Sequence, residues 1–134
     1  MHRIIHIITV IFGAFAGFGG IEHGYFEILQ GAGRPDRLMI ESIGPPCVPA
    51  EVWHACEPAL TIIPNFLITG IVALLLGIIT MIWSIAFIHR RHGGSVLTLL
   101  SVALLLFGGG IIPPIVGFIG GLLAIKLSRS ATAR

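Results

Sequence analysis

Long apolar runs alternate with short charged segments along this chain of 134 residues. Residues 4–21, 58–88 and 93–125 contain no Asp, Glu, Lys or Arg over 18, 31 and 33 positions respectively. Such runs are stable in lipid, or inside a core far larger than a chain of this length can form. The pattern therefore predicts an all-α integral membrane protein.

The third run is too long to cross a membrane once. As one helix, its 33 residues would extend about 50 Å, whereas the hydrocarbon layer is about 30 Å thick. Glycines at 108–110 and prolines at 113 and 114 predict a break within it. We therefore predict a single membrane domain, residues 1–134, with four transmembrane helices at about 4–29, 64–88, 95–109 and 112–127.

The first run has an alternative interpretation. A basic start, an apolar core and the sequence Ala-Phe-Ala at 14–16 are typical of a cleaved signal peptide. However, the apolar run continues beyond that point, and a row of glycines lines one helix face across it. A discarded leader has no need of such a face, so we favour a retained helix 1.

Small residues on helices 1 and 4 predict close helix packing. Glycine lets two backbones approach each other, and glycine stripes are common where membrane helices associate. We expect helices 1 and 4 to approach each other at Gly13, Gly17, Gly20, Gly117 and Gly121, and Gly24 to continue the packing face of helix 1.

Charge is divided sharply between two parts of the chain. Residues 21–59 hold all six acidic residues and two arginines, a formal charge of −4, whereas the remainder holds six basic residues and no acidic one. Basic residues favour the cytoplasmic ends of membrane helices. With four helices, the basic residues outside this segment share one side: Arg3, Arg90, Arg91, Lys126, Arg129 and Arg134.

This division predicts the topology. We expect both termini in the cytoplasm and residues 22–59 outside, with the plasma (inner) membrane as the location. His6, His89 and His92 then lie near the inner surface. Because His89 and His92 adjoin two arginines, we interpret these two as interfacial anchors rather than haem ligands. The basic residues form isolated caps on apolar segments, a pattern that argues against nucleic-acid binding.

The acidic outer loop between helices 1 and 2, at about residues 30–59, is predicted to be ordered. Pro35 is suited to the first turn of a helix, because its missing N–H is not needed there. A second short helix is predicted from Pro49 to Cys56, ending before Pro58.

The loop also holds the two cysteines of the chain, Cys47 and Cys56. They fall on the side of the membrane where oxidation is permitted, which favours a disulfide between them. A regular helix between Pro49 and Cys56 would separate the two thiols too far for a bond. A metal-binding role for Cys56 beside His54 and two free thiols are therefore the alternatives.

Histidines and carboxylates are concentrated at both ends of the loop. Glu22, His23 and Glu27 follow the apolar part of helix 1, and His54 and Glu57 join them if the loop folds back. A set of this kind performs general acid/base catalysis or holds zinc, with His23, Glu27 and His54 as the metal ligands. The ordinary alternative is that these side chains are solvated at a helix end.

These features define the functional hypotheses. We expect a non-enzymatic interaction or assembly component, whose outer loop recognises a membrane-protein partner or a second copy of the chain. The alternatives are a membrane-embedded enzyme or metal-binding protein that uses the His/Glu set, and a small transporter or channel for neutral solutes. The apolar runs place no acid or base at mid-membrane depth, which argues against ion-coupled transport.

Overall fold

The computed structural model describes residues 2–41 and 57–132 as a mostly helical bundle with a small two-stranded sheet at one end. Helix α1 packs mainly against α2 and α4, and α3 packs mainly against α4. The elements in chain order are α1 (His2–Leu29), β1 (Met39–Glu41), β2 (Pro58–Leu60), α2 (Phe66–Ala86), α3 (Gly93–Leu106) and α4 (Ile112–Thr132).

Asn65 sets the start of α2 at Phe66, two residues after the expected position. Its backbone is extended, with φ at −159°, and its side-chain oxygen accepts a hydrogen bond from the backbone N–H of Ile68 at 3.0 Å. This is the usual way in which asparagine satisfies a free donor in the first turn of a helix. The amide nitrogen of Asn65 also donates to the carbonyl oxygen of Ala32, joining α2 to the segment that follows α1.

The glycine-rich segment between α3 and α4 interrupts the third apolar run. Helix α3 ends at Leu106, earlier than the expected 109, because Gly108 and Gly110 adopt positive φ angles of 87° and 81°. Glycine populates this left-handed region without the steric cost that other residues incur. Helix α4 then begins at Ile112, so that two prolines occupy its first turn, and it continues to Thr132, past the expected 127.

The two strands of the sheet are antiparallel, with Met39 opposite Leu60 and Ile40 opposite Ala59. The end of β2 also contacts the residues that follow α3. Thr61 pairs with Phe107, and the Gly108 N–H donates to the Leu60 carbonyl at 2.8 Å. The sheet therefore lies beside the segment between α3 and α4.

A helical turn beginning at Pro35 was expected in this region, and that prediction is wrong. Residues 36–38 bend and lead into β1. The local preference of proline is outweighed by cross-strand hydrogen bonds and by the burial of Ile40, of which only 5 % is exposed. The short helix predicted from Pro49 to Cys56 lies outside the described residues.

Helices α1 and α2 approach closely at two pairs of glycines. A Cβ atom on Gly17 would lie 2.7 Å from the carbonyl oxygen of Gly77, and one on Gly24 would lie 2.6 Å from that of Gly70. Neither contact leaves room for a side chain. The glycines of α2 are therefore as important to this crossing as those of α1.

The other predicted packing glycines contact several helices. Gly13 faces Ser84 of α2, Gly20 faces Leu104 of α3, and Gly121 of α4 lies against the backbone of α3. A Cβ atom on Gly117 would lie 2.5 Å from the Cβ of Ala16 in α1. Of the five glycines expected between helices 1 and 4, Gly117 contacts α1 as predicted. The other four, Gly13, Gly17, Gly20 and Gly121, contact α2 or α3 instead.

Helix α2 has small and polar residues inside and large apolar residues outside. The six buried positions are Thr69, Gly70, Ala73, Gly77, Thr80 and Ser84. The exposed positions include Ile68, Ile71, Leu75, Ile79, Ile82 and Ile85.

This arrangement is the reverse of the one that water imposes on an amphipathic helix. The buried hydroxyls of Thr80 and Ser84 are satisfied within α2, where they donate to the carbonyls of Leu76 and Thr80 at 2.7 Å each. Both α1 and α2 are long and apolar enough to span a membrane.

Candidate functional site

Two ionisable side chains of α1, His23 and Glu27, point into the bundle near the end of the helix. His23 is 1 % exposed and Glu27 is 0 % exposed. They are i,i+4 neighbours, so they project from the same helix face. That face also carries Gly20 and Gly24. Because they lack side chains, α1 can pack closely against its neighbours there. Close helix packing therefore removes both ionisable groups from solvent.

His23 connects α1 to the segment that precedes β2. Its Nε2 atom lies 3.3 Å from Oε2 of Glu57, whose side chain is 53 % exposed. The structure thus brings together two residues that are 34 positions apart in the sequence. A carboxylate beside an imidazole nitrogen can accept its hydrogen and orient the ring.

The segment between α3 and α4 contacts both buried side chains. A Cβ atom on Gly110 would lie 2.6 Å from Nε2 of His23, and one on Gly108 would lie 2.5 Å from each carboxylate oxygen of Glu27. Both glycines have positive φ, so the backbone bends around the two groups. The segment between α3 and α4, which interrupts the third apolar run, therefore also forms one wall of this site.

Glu27 is the electrostatically unusual member of the site. Within residues 2–41 and 57–132, neither of its side-chain oxygens has a hydrogen-bond partner, although both are buried. Buried polar groups are nearly always paired, and a carboxyl group in an apolar environment either takes up a proton or is stabilised by a cation or hydrogen-bond donors. Glu27 is therefore a buried acid to which the described part of the chain gives no hydrogen-bond partner.

Two threonines complete the polar surroundings. The hydroxyl oxygens of Thr61 and Thr69 lie 2.8 Å apart, and both residues are buried. The methyl carbon of Thr69 borders the same space as Glu27, because it would lie 2.5 Å from a Cβ atom on Gly108. We refer below to the His23 cluster, which consists of His23, Glu27, Glu57, Thr61 and Thr69.

The remaining predicted site residues have different positions. Glu22 is partly exposed, and His54, Cys47 and Cys56 lie outside the described residues, so that the disulfide and its alternatives stay predictions. In the described part of the chain, no three His, Cys, Asp or Glu side chains are close enough to hold a metal ion together.

The sequence patterns did not predict the roles of Thr61, Thr69, Gly108 and Gly110. Thr69 follows Asn65 by four residues, a spacing that indicates only a contact between helices. The glycines indicate a helix break, but three consecutive glycines also indicate a place where a side chain approaches the backbone closely.

Comparison of the chain with protein-family models, curated proteins and solved structures gave no match. Functional inference therefore rests on the geometry of the chain itself.

Proposed function

We propose that this chain is an integral membrane protein of four transmembrane helices that binds a divalent metal ion at the His23 cluster. The observation that carries the metal-binding part is the complete burial of the Glu27 carboxylate without a hydrogen-bond partner among the described residues.

Membrane insertion is supported by the distribution of side chains on α2. Large aliphatic residues face outward at every turn, whereas glycine, alanine and hydroxyl residues face the bundle. In lipid, apolar side chains gain nothing by facing inward, and small residues favour close helix contacts. Lipid is therefore the solvent that fits this helix.

The short helix α3 fits the same environment when the segment after it is included. Its 14 residues extend only about 21 Å, less than the thickness of the hydrocarbon layer of about 30 Å. Residues 108–110, which follow Phe107, are buried, and the N–H groups of Gly108 and Gly109 donate to the carbonyls of Leu60 and Leu104. Irregular backbone at membrane depth is tolerated when it is buried and hydrogen-bonded in this way.

The proposed orientation follows from the positions of the charges. Arg3, Arg90 and Arg91 belong to one end of the bundle, whereas Glu27 and Glu57 belong to the other. We place the basic end in the cytoplasm, with both termini, and residues 22–59 outside the plasma membrane. The acidic end then attracts cations from the outer medium.

The donor atoms of the His23 cluster suit a divalent metal ion. Glu27 offers two carboxylate oxygens, and the imidazole of His23 lies one turn earlier on α1. Sites for magnesium and calcium often use one or two carboxylates together with carbonyl oxygens and water. Nitrogen and oxygen ligands together shift the preference towards zinc and other first-row metals.

Metal titration of the detergent-purified chain tests this proposal. Zinc, magnesium, calcium and manganese are added separately to the wild type, to Glu27→Gln and to Asp36→Asn, and thermal unfolding is followed. A bound ion at 100 times its Kd stabilises the folded state by about 2.7 kcal/mol. We expect at least one ion to raise the Tm of the wild type and of Asp36→Asn, which removes an exposed carboxylate in the segment that follows α1.

Glu27→Gln has nearly the same shape but lacks the charge, so we expect its response to that ion to be lost. Circular dichroism establishes that the variant retains its helices. Identical responses of the wild type and Glu27→Gln to all four metals contradict the proposal.

A recognition surface at the acidic end is the second candidate function. A cleft of about 470 Å³ is lined by residues 34–38 and 61–64, and Leu38 and Ile62 are 62 % and 54 % exposed. Apolar side chains beside arginines are typical of protein interfaces. A photo-crosslinker at position 38 is expected to capture one partner of defined mass, whereas the same probe at position 92 captures none. Equal labelling from both positions contradicts this function.

A further inference from the structure

A basic cavity of about 530 Å³ lies at the end of the bundle opposite the His23 cluster. Its volume is within the range of roughly 300–1,000 Å³ that is typical of ligand pockets. Three separate parts of the chain form it: the start of α1, the α2–α3 turn with the start of α3, and the last turns of α4. The cationic and imidazole groups that line this basic cavity are Arg3, His6, His89, Arg90, Arg91 and His92.

The basic cavity also has an apolar part. Ile88, from the turn after α2, and Ala124, Ile125 and Leu127, from α4, belong to its lining. A cavity with guanidinium groups beside aliphatic walls suits a ligand that has an anionic head and an apolar body.

The arginines of the basic cavity are not neutralised within the described structure. No carboxylate among the described residues lies within ion-pair distance of Arg3, Arg90 or Arg91. The acidic residues that the structure describes belong to the other end of the bundle. At the usual helical rise, Arg3 and Glu27 are separated by about 36 Å along α1. As far as the described residues go, the positive charge of the cavity is therefore available for an anion.

We propose that the basic cavity binds the phosphate group of an anionic phospholipid from the cytoplasmic leaflet. Guanidinium groups bind phosphate through paired hydrogen bonds, and the imidazoles supply further donors. Basic pockets between membrane helices on the cytoplasmic side are places where anionic head groups bind. The proposal rests on the proposed membrane insertion and orientation, but it does not depend on the metal site.

Thermal unfolding of the detergent-solubilised chain tests the proposal. Short-chain phosphatidylglycerol, short-chain phosphatidylcholine and inorganic phosphate are added in separate arms. The variant Arg90→Gln/Arg91→Gln removes two charges from the cavity. The control Arg34→Gln/Arg37→Gln removes two exposed arginines that line the cleft at the other end of the bundle.

We expect phosphatidylglycerol to raise the Tm of the wild type and of the control more than phosphatidylcholine does. We expect the Arg90→Gln/Arg91→Gln variant to bind phosphatidylglycerol roughly tenfold or more weakly. If inorganic phosphate raises the Tm as much as phosphatidylglycerol does, and the Arg90→Gln/Arg91→Gln variant loses this effect, the cavity binds phosphate. Its ligand is then the free anion, and the phospholipid part of the proposal is overturned. Equal responses to the two lipids, or an equal loss in the control, overturn the proposal.

Failure here is distinguishable from failure of the proposed function. Metal binding is measured at Glu27, at the other end of the bundle, and is unaffected by the arginine substitutions. Membrane insertion is measured separately, because a chain that is not embedded in lipid is released from cell membranes by alkaline carbonate.

Discussion

The carboxylate of Glu27 occupies a space that exists only because residue 108 is glycine. A Cβ atom on Gly108 would lie 2.5 Å from each of the two carboxylate oxygens. Real Cβ atoms do not approach an oxygen so closely, so one of the two residues would have to move. A buried acid on α1 and a turn between α3 and α4 therefore depend on each other.

The substitution Gly108→Ala tests this dependence. Gly31→Ala is its matched control, because Gly31 also has a positive φ, 71°, but has no atom within 4 Å of an added Cβ. Both variants incur the backbone strain of alanine at positive φ, and only Gly108→Ala adds a collision. We expect Gly108→Ala to be less stable than the control by about 1–3 kcal/mol. Chemical unfolding in detergent measures the difference, and equal stabilities contradict the close packing of Glu27.

The contact between His23 and Glu57 is expected to contribute measurably to stability. Since Glu57 is half-exposed, water screens the interaction, and we expect a coupling free energy of about 0.5–1.5 kcal/mol. A double-mutant cycle with His23→Ala and Glu57→Ala isolates this quantity, because each single variant accounts for its own loss of packing. The same cycle with Asp36→Ala in place of Glu57→Ala should give a value near zero. A zero value in the first cycle contradicts a stabilising interaction between His23 and Glu57.

A charge on the outer face of α2 distinguishes lipid from water as the solvent of that face. Leu75 is 53 % exposed and lies near the middle of the helix. In lipid, Leu75→Lys costs about 2.5–3.5 kcal/mol, whereas an exposed position of a soluble protein tolerates such a change within about 0.5 kcal/mol. We expect Leu75→Lys to lower the amount of membrane-inserted protein, and Leu38→Lys, in the loop, to leave it unchanged. Equal yields of the two variants contradict a lipid-facing α2.

The sequence indicates the helices well because their boundaries depend on local chemistry. Gly108 and Pro113 predict the break between α3 and α4, since a left-handed turn and a proline in a first helical turn are local requirements. The strand at Met39 is not predictable in this way. It forms because Pro58–Leu60, distant in sequence, supplies its hydrogen-bond partner.

The composition of the site was predictable in part, but its burial was not foreseen. His23 and Glu27 were expected at a solvated helix end, yet they lie on the face that carries Gly20 and Gly24. That spacing, followed to the end of α1, indicates that Glu27 faces the bundle. The contacts of Glu57 and Thr61 depend on how the residues before α2 lie against the helices. No local sequence pattern specifies this arrangement.

The proposed membrane topology is tested most directly by the accessibility of single cysteines in intact cells. With Cys47→Ser and Cys56→Ser as the background, a cysteine is introduced by Arg34→Cys at the acidic end or by His92→Cys at the basic end. A maleimide that cannot cross membranes is predicted to label the first variant in intact cells, and the second only after the cells are permeabilised. Labelling of both variants, or of neither, before permeabilisation would contradict a chain whose acidic and basic ends lie on opposite sides of a bilayer.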